Sequence, residues 1–189
     1  MQRPLSRAAS LACSLLLCVA ATAATPSETD ALADLLGRWR LDRAQSDPFD
    51  PVMKAMEVPW LMRRMASLGT IHFSFRATTD ASCRNCPRRL VVVEETPVRS
   101  AEYTIVLDGV ERPGEDPIGN ATIDRFSETP EGALVLERRR TLRSGKRARI
   151  RDVRTRGGGP DEMLSQLEIW LDGELAVKAR RVFVRATGS

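Results

Sequence analysis

The most reactive side chains in this sequence are the two cysteines of the segment Cys83-Arg84-Asn85-Cys86. A Cys-x-x-Cys pair can serve as a redox dithiol, as half of a zinc site or as a short disulfide. A four-ligand zinc site needs further cysteines or histidines, and His72 is the only histidine. Redox dithiols lie at the start of a helix, whereas this pair lies between two strand-like runs. We therefore predict a Cys83–Cys86 disulfide at the tip of a hairpin.

No arrangement of residues for catalysis is found in the sequence. There is no Gly-x-Ser-x-Gly nucleophile elbow and no His-Glu-x-x-His zinc motif. The run Gly157-Gly158-Gly159 is followed by Pro160 rather than by Gly-Lys-Ser/Thr, so it is typical of a turn and not of a phosphate-binding loop. We predict that the protein is not an enzyme and that it requires no cofactor and no metal ion.

The N-terminus has the pattern of a cleavable secretory signal peptide. Arg3 and Arg7 precede an apolar run, residues 8–21, and small residues follow at Ala21-Thr22-Ala23. The run is shorter than the ~20 apolar residues that a spanning helix needs. We predict that residues 1–24 are a signal peptide. The mature protein is then exported to the periplasm and has no transmembrane segment.

Export also changes the charge and the cysteine chemistry. The chain has 29 basic and 25 acidic residues, and loss of Arg3 and Arg7 lowers the formal net charge from +4 to +2. With so small a net charge, no nucleic-acid partner is expected. Cys13 and Cys18 leave with the signal peptide, and the remaining two cysteines enter an oxidising compartment, which favours the disulfide.

The rest of the chain is predicted to be a short N-terminal tail, residues 25–35, and one domain, residues 36–189. Residues 47–69 form two short helices, of which the second begins at Pro59 and ends at Gly69. Apolar residues then alternate with polar ones between Gly, Pro and Asp-Gly turn signals. This pattern predicts ten strands, at residues 36–42, 71–77, 90–95, 101–108, 111–119, 121–127, 132–143, 146–156, 163–171 and 175–186.

Ten short strands at near-regular spacing predict an all-β fold, a ten-stranded antiparallel meander barrel with a two-helix lid between its first and second strands. A long sheet of this kind removes its exposed edges by closing. A barrel in the outer membrane would have a continuously apolar outer face. Arg147, Arg149 and Arg151 occupy alternate positions instead, which favours a soluble barrel.

This order of elements resembles the fatty-acid-binding proteins, which belong with the lipocalins to the calycin group. Gly37-Arg38-Trp39 is similar to the Gly-x-Trp opening of their first strand, and Phe49-Asp50 with residues 53–58 is similar to their first lid helix. Arg181-Val182-Phe183 resembles the Arg-x-Tyr motif of their last strand, with Phe183 in place of the tyrosine. The resemblance implies a barrel around one small ligand.

The resemblance also implies the ligand-binding residues. Arg181 is expected to pair with the carboxylate of a hydrophobic acid, because a guanidinium fork suits that group, and Arg151 is a second candidate. Alternatively, Arg181 stacks on Trp39 and helps Gly37 and Trp39 to close the barrel floor. The remaining expected ligand contacts are Phe73, Phe75, Tyr103, Phe183 and the lid residues Met53, Met56 and Met62.

The expected function is the binding of a small hydrophobic ligand, such as a fatty acid or another lipid, under a Met-rich lid. The alternative is a non-enzymatic envelope interaction or structural protein whose barrel is filled by side chains. In that case the arginine-rich hairpin at residues 138–156 would contact an anionic membrane surface or an acidic protein.

Overall fold

A computed structural model describes residues 32–78, 86–97, 99–116 and 118–186 of the 189-residue chain. The predicted signal peptide, residues 1–24, lies outside the described residues, and so does Cys83 of the predicted disulfide. Both therefore stay predictions. Within the described ranges, no helix is long and apolar enough to cross a bilayer.

The predicted fold class is confirmed: ten antiparallel strands form one meandering sheet, and two short helices follow the first strand. The helices are α1 (Asp50–Ala55) and α2 (Trp60–Leu68). The strands are β1 (Gly37–Asp42), β2 (His72–Thr78), β3 (Arg89–Glu95), β4 (Ser100–Val106), β5 (Glu111–Glu115), β6 (Ala121–Glu128), β7 (Leu134–Thr141), β8 (Arg147–Arg156), β9 (Glu162–Leu171) and β10 (Glu174–Arg185).

Strand β5 is shorter than the predicted strand at residues 111–119. The carboxylate of Asp116 accepts hydrogen bonds from the backbone N–H groups of Ile118 and Asn120, at 3.0 and 2.9 Å. Asp side chains favour turns by bonding to the backbone that follows them. The strand therefore ends before Asp116, and these hydrogen bonds place Ile118 and Asn120 just before the start of β6.

The sheet curls without joining its two end strands. Its order is β4-β3-β2-β1-β10-β9-β8-β7-β6-β5, so the first strand of the chain pairs with the last, with Trp39 opposite Arg185. Strands β4 and β5 are the two ends of this order and face each other across a gap. Pro113 lies in β5, and proline is a residue that sheets confine to edge strands because it lacks an N–H group.

The core lies on the inner face of the sheet. Trp39, Phe75 and Phe183 are at most 2% exposed. The ring of Phe73 lies between the other two phenylalanines, 6.1 Å from Phe75 and 5.5 Å from Phe183 between ring centroids. These rings come from β1, β2 and β10. The aromatic cluster therefore stabilises the part of the sheet where β1 pairs with β10.

The last residues of the predicted tail belong to the domain. Leu32 and Leu35 are 3% and 1% exposed and pack in the main core cluster. A 3₁₀ turn at Ala33–Leu35 places both leucines toward the core, and the carbonyl of Leu35 accepts a 2.8 Å hydrogen bond from Nε1 of Trp39. The last residues of the predicted tail, residues 25–35, thus pack against the domain, and one turn is too short to produce a periodic pattern.

The two helices lie over one mouth of the sheet and are tied to it by arginines. Nη1 of Arg63 in α2 donates to Asp50 in α1 at 3.0 Å. Arg43, just after β1, donates to the carbonyls of Ala66, Ser67 and Gly69 at the end of α2. A cation at a helix C-terminus satisfies carbonyls that have no partner in the helix. Helix α1 is also held by burial of Val52 and Met53, whereas α2 has no buried residue and depends on these arginine contacts.

Candidate functional site

A cavity of about 260 Å³ lies between the inner face of the sheet and the two helices. Its apolar lining comes from both lid helices and from five strands, and it includes the ring of Phe49 just before α1. The main apolar residues are Phe49, Val52, Met53, Met56, Met62, Ile71, Phe73, Leu136, Ile150, Leu167, Ile169 and Phe183. The barrel therefore encloses free space, so the alternative of a barrel filled by side chains does not fit the structure.

Three of the four arginines that line the cavity in the described part of the chain are paired with carboxylates. Nε and Nη2 of Arg138 donate to the two oxygens of Asp124, at 2.7 and 2.6 Å. Arg140 donates to Asp116 and to the carbonyl of Met56 in the lid. Because a buried cation is costly unless it is paired, these partners allow charged side chains to lie in an apolar wall.

The third pair consists of Arg154 and Asp152, both in β8. Nε of Arg154 donates to Asp152 at 2.9 Å, and the hydroxyl of Ser165 donates to the other oxygen of Asp152 at 2.6 Å. The guanidinium of Arg154 lies 4.3 Å from the ring centroid of Phe73. Such a contact is attractive because the face of an aromatic ring is negative.

The fourth arginine, Arg181, has no carboxylate partner among the described residues. Its Nε and Nη2 atoms are buried and make no hydrogen bond with the described part of the chain. The guanidinium stacks on Phe49, 3.6 Å from the ring centroid. Burial lowers the pKa of Arg181 to about 10, so the group stays cationic at neutral pH. The cavity therefore contains a positive charge whose hydrogen-bond donors are unused.

On the far side of the cavity, Glu94 and Tyr103 lie on the inner faces of β3 and β4. The pKa of Glu94 is raised by burial, against the opposing effect of the cavity arginines. Burial, together with the nearby Glu94, raises the pKa of Tyr103 to about 12. Neither side chain forms a hydrogen bond or ion pair with another described residue.

The gap between β4 and β5 is a second opening to this site. A space of about 340 Å³ lies there, between β4 and the pair β5–β6. Glu94, Tyr103 and Arg138 line both this space and the main cavity. The interior can therefore be reached between the end strands as well as under the lid.

Most of the predicted ligand contacts lie around the cavity. Arg181, Phe183, Phe73, Tyr103, Met53, Met56 and Met62 all line it. Phe75 is 2% exposed and lines a pocket of only about 20 Å³ in the adjoining core. The positions agree with the prediction, while contact with a ligand stays a prediction.

Arg151 is misplaced in the sequence-based prediction. Ile150, Asp152 and Arg154 line the cavity, and successive residues of a strand point to opposite faces. Arg151 therefore lies on the outer face of β8, opposite Glu137 of β7 and Glu168 of β9. It cannot reach a guest inside the barrel.

The arginine at the barrel floor is Arg185 and not Arg181. The guanidinium of Arg185 lies 4.4 Å from the ring centroid of Trp39, and it donates to the carbonyls of Leu36 and Asp34 at 2.9 and 3.2 Å. A Cβ at Gly37 would lie 2.6 Å from Nη1 of Arg185, so only glycine leaves room for this contact. The alternative role of Arg181 on Trp39 is therefore wrong. Arg181 lines the cavity instead.

We expect Arg185→Gln to lower the free energy of unfolding by about 1–2 kcal/mol, because it removes the contact with Trp39 and two hydrogen bonds. Urea unfolding followed by tryptophan fluorescence measures this change. Arg149→Gln is the matched control, since Arg149 stacks on Trp170 at 4.0 Å on the outer face. An equal loss in both variants would contradict a special role for Arg185 at the floor.

Solved structures of other proteins share this architecture. The REP1-NXSQ fatty acid transporter matches with a TM-score of 0.62 and 18% identity, over 83% of this chain and 99% of that chain. A Schistosoma mansoni fatty acid binding protein in complex with arachidonic acid matches with a TM-score of 0.61 and 20% identity, over 83% and 99%. As-p18, an extracellular fatty acid binding protein, matches with a TM-score of 0.58 and 18% identity, over 81% and 96%. The chain has the fold of the fatty-acid-binding proteins.

At these identities the likeness establishes the fatty-acid-binding-protein fold alone. No protein-family model matches the sequence, and no curated protein matches it. One fold can carry many functions, so function has to be argued from the site. For this chain, the argument rests on the free donors of Arg181 and on the apolar cavity around them.

Five charged strand residues that line the cavity of this fatty-acid-binding-protein fold were missed in the sequence: Glu94, Arg138, Arg140, Asp152 and Arg154. Each is a charged residue at an inner position of a strand. The alternation Ile150, Asp152, Arg154 was present in the sequence, but the other face of the strand also carries charges, at Arg149 and Arg151. Alternation fixes which residues share a face, and it cannot show which face is inside when both faces carry charges.

Proposed function

We propose that this protein is an exported, periplasmic, non-catalytic binding protein for a small hydrophobic acid such as a fatty acid. The observation that carries the proposal is Arg181, a buried cation with unused donors at an apolar cavity. Buried donors normally have partners. A ligand carboxylate would supply the missing one.

The two free atoms of Arg181 are suited to a carboxylate. Nε and Nη2 lie on the same edge of a guanidinium and can donate to both oxygens of one carboxylate at once. The same edge of Arg138 binds Asp124 in this way, at 2.7 and 2.6 Å. Arg181 thus offers to a guest the arrangement that Arg138 already makes with the protein.

The rest of the cavity suits the apolar part of such a guest. Met53, Met56 and Met62 of the lid face Phe73 and Phe183 of the sheet, and flexible methionines adapt to irregular apolar shapes. A volume of about 260 Å³ is just below the range of roughly 300–1,000 Å³ that ligand pockets usually have. A single acyl chain is therefore a better match than a lipid with two chains.

The related structures support the ligand class and the exported location. The Schistosoma mansoni protein of this fold was solved with arachidonic acid, and As-p18 is described as extracellular. An extracellular protein of the same fold shows that the architecture is compatible with export. The N-terminal pattern at residues 1–24 supplies the sequence argument for a signal peptide.

Native mass spectrometry of protein purified from the periplasm of its own host tests this function. We expect a copurified acid of one acyl chain, released on denaturation, and displacement of a fluorescent fatty acid from the delipidated protein. Recovery of the protein from the cytoplasm would refute the proposed location. Protein that carries no lipid and binds no fluorescent fatty acid would refute the proposed function.

A further inference from the structure

The cavity has a second polar group without a partner, and it is a carboxyl group. Glu94 lines both the main cavity and the gap between β4 and β5, and no described residue forms a hydrogen bond or an ion pair with its carboxylate. On the same strand the neighbouring Glu95 is paired with Arg38 at 2.9 Å, on the outer face. The carboxyl group of Glu94 therefore borders both spaces without an ion pair of its own, and a polar group of a guest can bind to it.

Glu94 lies well away from Arg181 along the wall. Strands β2 and β1 separate β3 from β10, and the register of these strands places Glu94 level with Arg185, four residues along β10 from Arg181. Phe73 lies between them, directly opposite Glu94 in the register of β2 and β3. A guest whose carboxylate lies on Arg181 would thus pass along apolar surface before it reaches Glu94.

Tyr103 completes a polar patch at that end. In the register of β3 and β4, Glu94 is opposite Ala101 and Val92 is opposite Tyr103, so Glu94 and Tyr103 are diagonal neighbours on the inner face. The patch adjoins the gap, where Tyr103 is still 38% exposed. It therefore contains a carboxyl and a phenol, both without a partner in the described chain, at the opposite end of the site from the unpaired cation.

We propose that the preferred guest is a hydroxylated hydrophobic acid, whose carboxylate lies on Arg181 and whose hydroxyl, farther along the chain, bonds to Glu94 beside Tyr103. This inference rests on the proposed function and specifies its ligand. A hydroxyl can donate to an ionised carboxylate and accept from a protonated one. It therefore matches Glu94 in either protonation state, whereas an unsubstituted acyl chain would leave Glu94 without a partner.

Calorimetric titration of the delipidated protein with decanoic acid and with its hydroxylated isomers tests the inference. The isomers carry the hydroxyl beside the carboxylate, in mid-chain or at the terminal carbon. We expect a mid-chain or terminal isomer to bind about tenfold more tightly than decanoic acid, as one hydrogen bond to a charged group would give. The isomer with the hydroxyl beside the carboxylate should gain nothing.

Glu94→Met should abolish this preference, so that decanoic acid and its hydroxylated isomers bind equally. Glu95→Gln is the matched control, one residue along and on the outer face, and it should keep the preference. Wild-type protein that binds decanoic acid but gains nothing from any hydroxyl would overturn the inference and leave the proposed function standing. Protein that binds none of these acids would overturn both, and the wild-type ranking decides the matter even if Glu94→Met does not fold.

Discussion

Replacing Arg181 with methionine is expected to weaken the binding of a fatty acid about 100-fold and, at the same time, to stabilise the empty protein. The affinity falls because the two hydrogen bonds from Nε and Nη2 to the carboxylate are lost, which costs about 3 kcal/mol. The stability rises because a buried cation without a partner is replaced by an apolar side chain. Fluorescent displacement measures the first effect and urea unfolding the second.

A binding role of Arg181 predicts a lower affinity together with a higher stability of the empty protein. A structural role predicts a lower stability instead. Arg180→Met is the matched control, because Arg180 is the neighbouring residue and is exposed. It should leave the affinity unchanged. If Arg181→Met destabilised the empty protein, the contact with Phe49 at 3.6 Å would be the main role of Arg181, and if the affinity stayed the same, the carboxylate would lie elsewhere.

The largest loss of stability is expected from Asp152→Ala. This change removes the carboxylate that accepts from Arg154 and Ser165, and it leaves the cation of Arg154 in an apolar wall without a partner. Breaking a buried pair on one side costs about 3–5 kcal/mol. Urea unfolding with tryptophan fluorescence should show a lower midpoint with an unchanged slope.

The double variant Asp152→Ala/Arg154→Met tests the cause of that loss. Because it removes the orphaned cation as well, it should recover most of the stability, within about 1 kcal/mol of the wild type. Glu137→Ala is the control on the outer face, where Glu137 is half-buried and pairs with Arg125 at 3.4 Å, and it should cost less than about 1 kcal/mol. If the double variant is as unstable as Asp152→Ala, the loss of stability comes from removal of the carboxylate and not from the unpaired charge of Arg154.

The strands and helices of this protein were predictable because its local signals agree. Apolar residues alternate through β2, and Asp172-Gly173 forms the two-residue turn between β9 and β10, where both residues have positive φ angles of 51° and 95°. Asp-Gly is a favoured sequence for that kind of hairpin turn. These signals act over a few residues, so they can be recognised without knowledge of the tertiary structure.

The site was only partly predictable, because its decisive contacts join residues far apart in the chain. Arg181 and Arg185 are four positions apart on the same face of β10, and their roles differ only in which ring lies nearby. Phe49 is beside the first and Trp39 beside the second. The packing of β1 and the lid decides this, and strand alternation contains no information about it.

The pairing of β1 with β10 also constrains how the protein is made. Residues 39–42 of β1 pair with residues 182–185 of β10. Nearly the whole domain lies between these two segments in the sequence. Contacts between residues so far apart in sequence are unfavourable early in folding. Closing a long loop loses conformational entropy before the contact contributes any stabilising free energy. During N-to-C synthesis, β1 lacks one of its two neighbours until the final strand has left the ribosome. The sheet therefore cannot be completed before β10 is available, and the proposed export would benefit from that delay, because an unfolded chain can be threaded through a narrow channel.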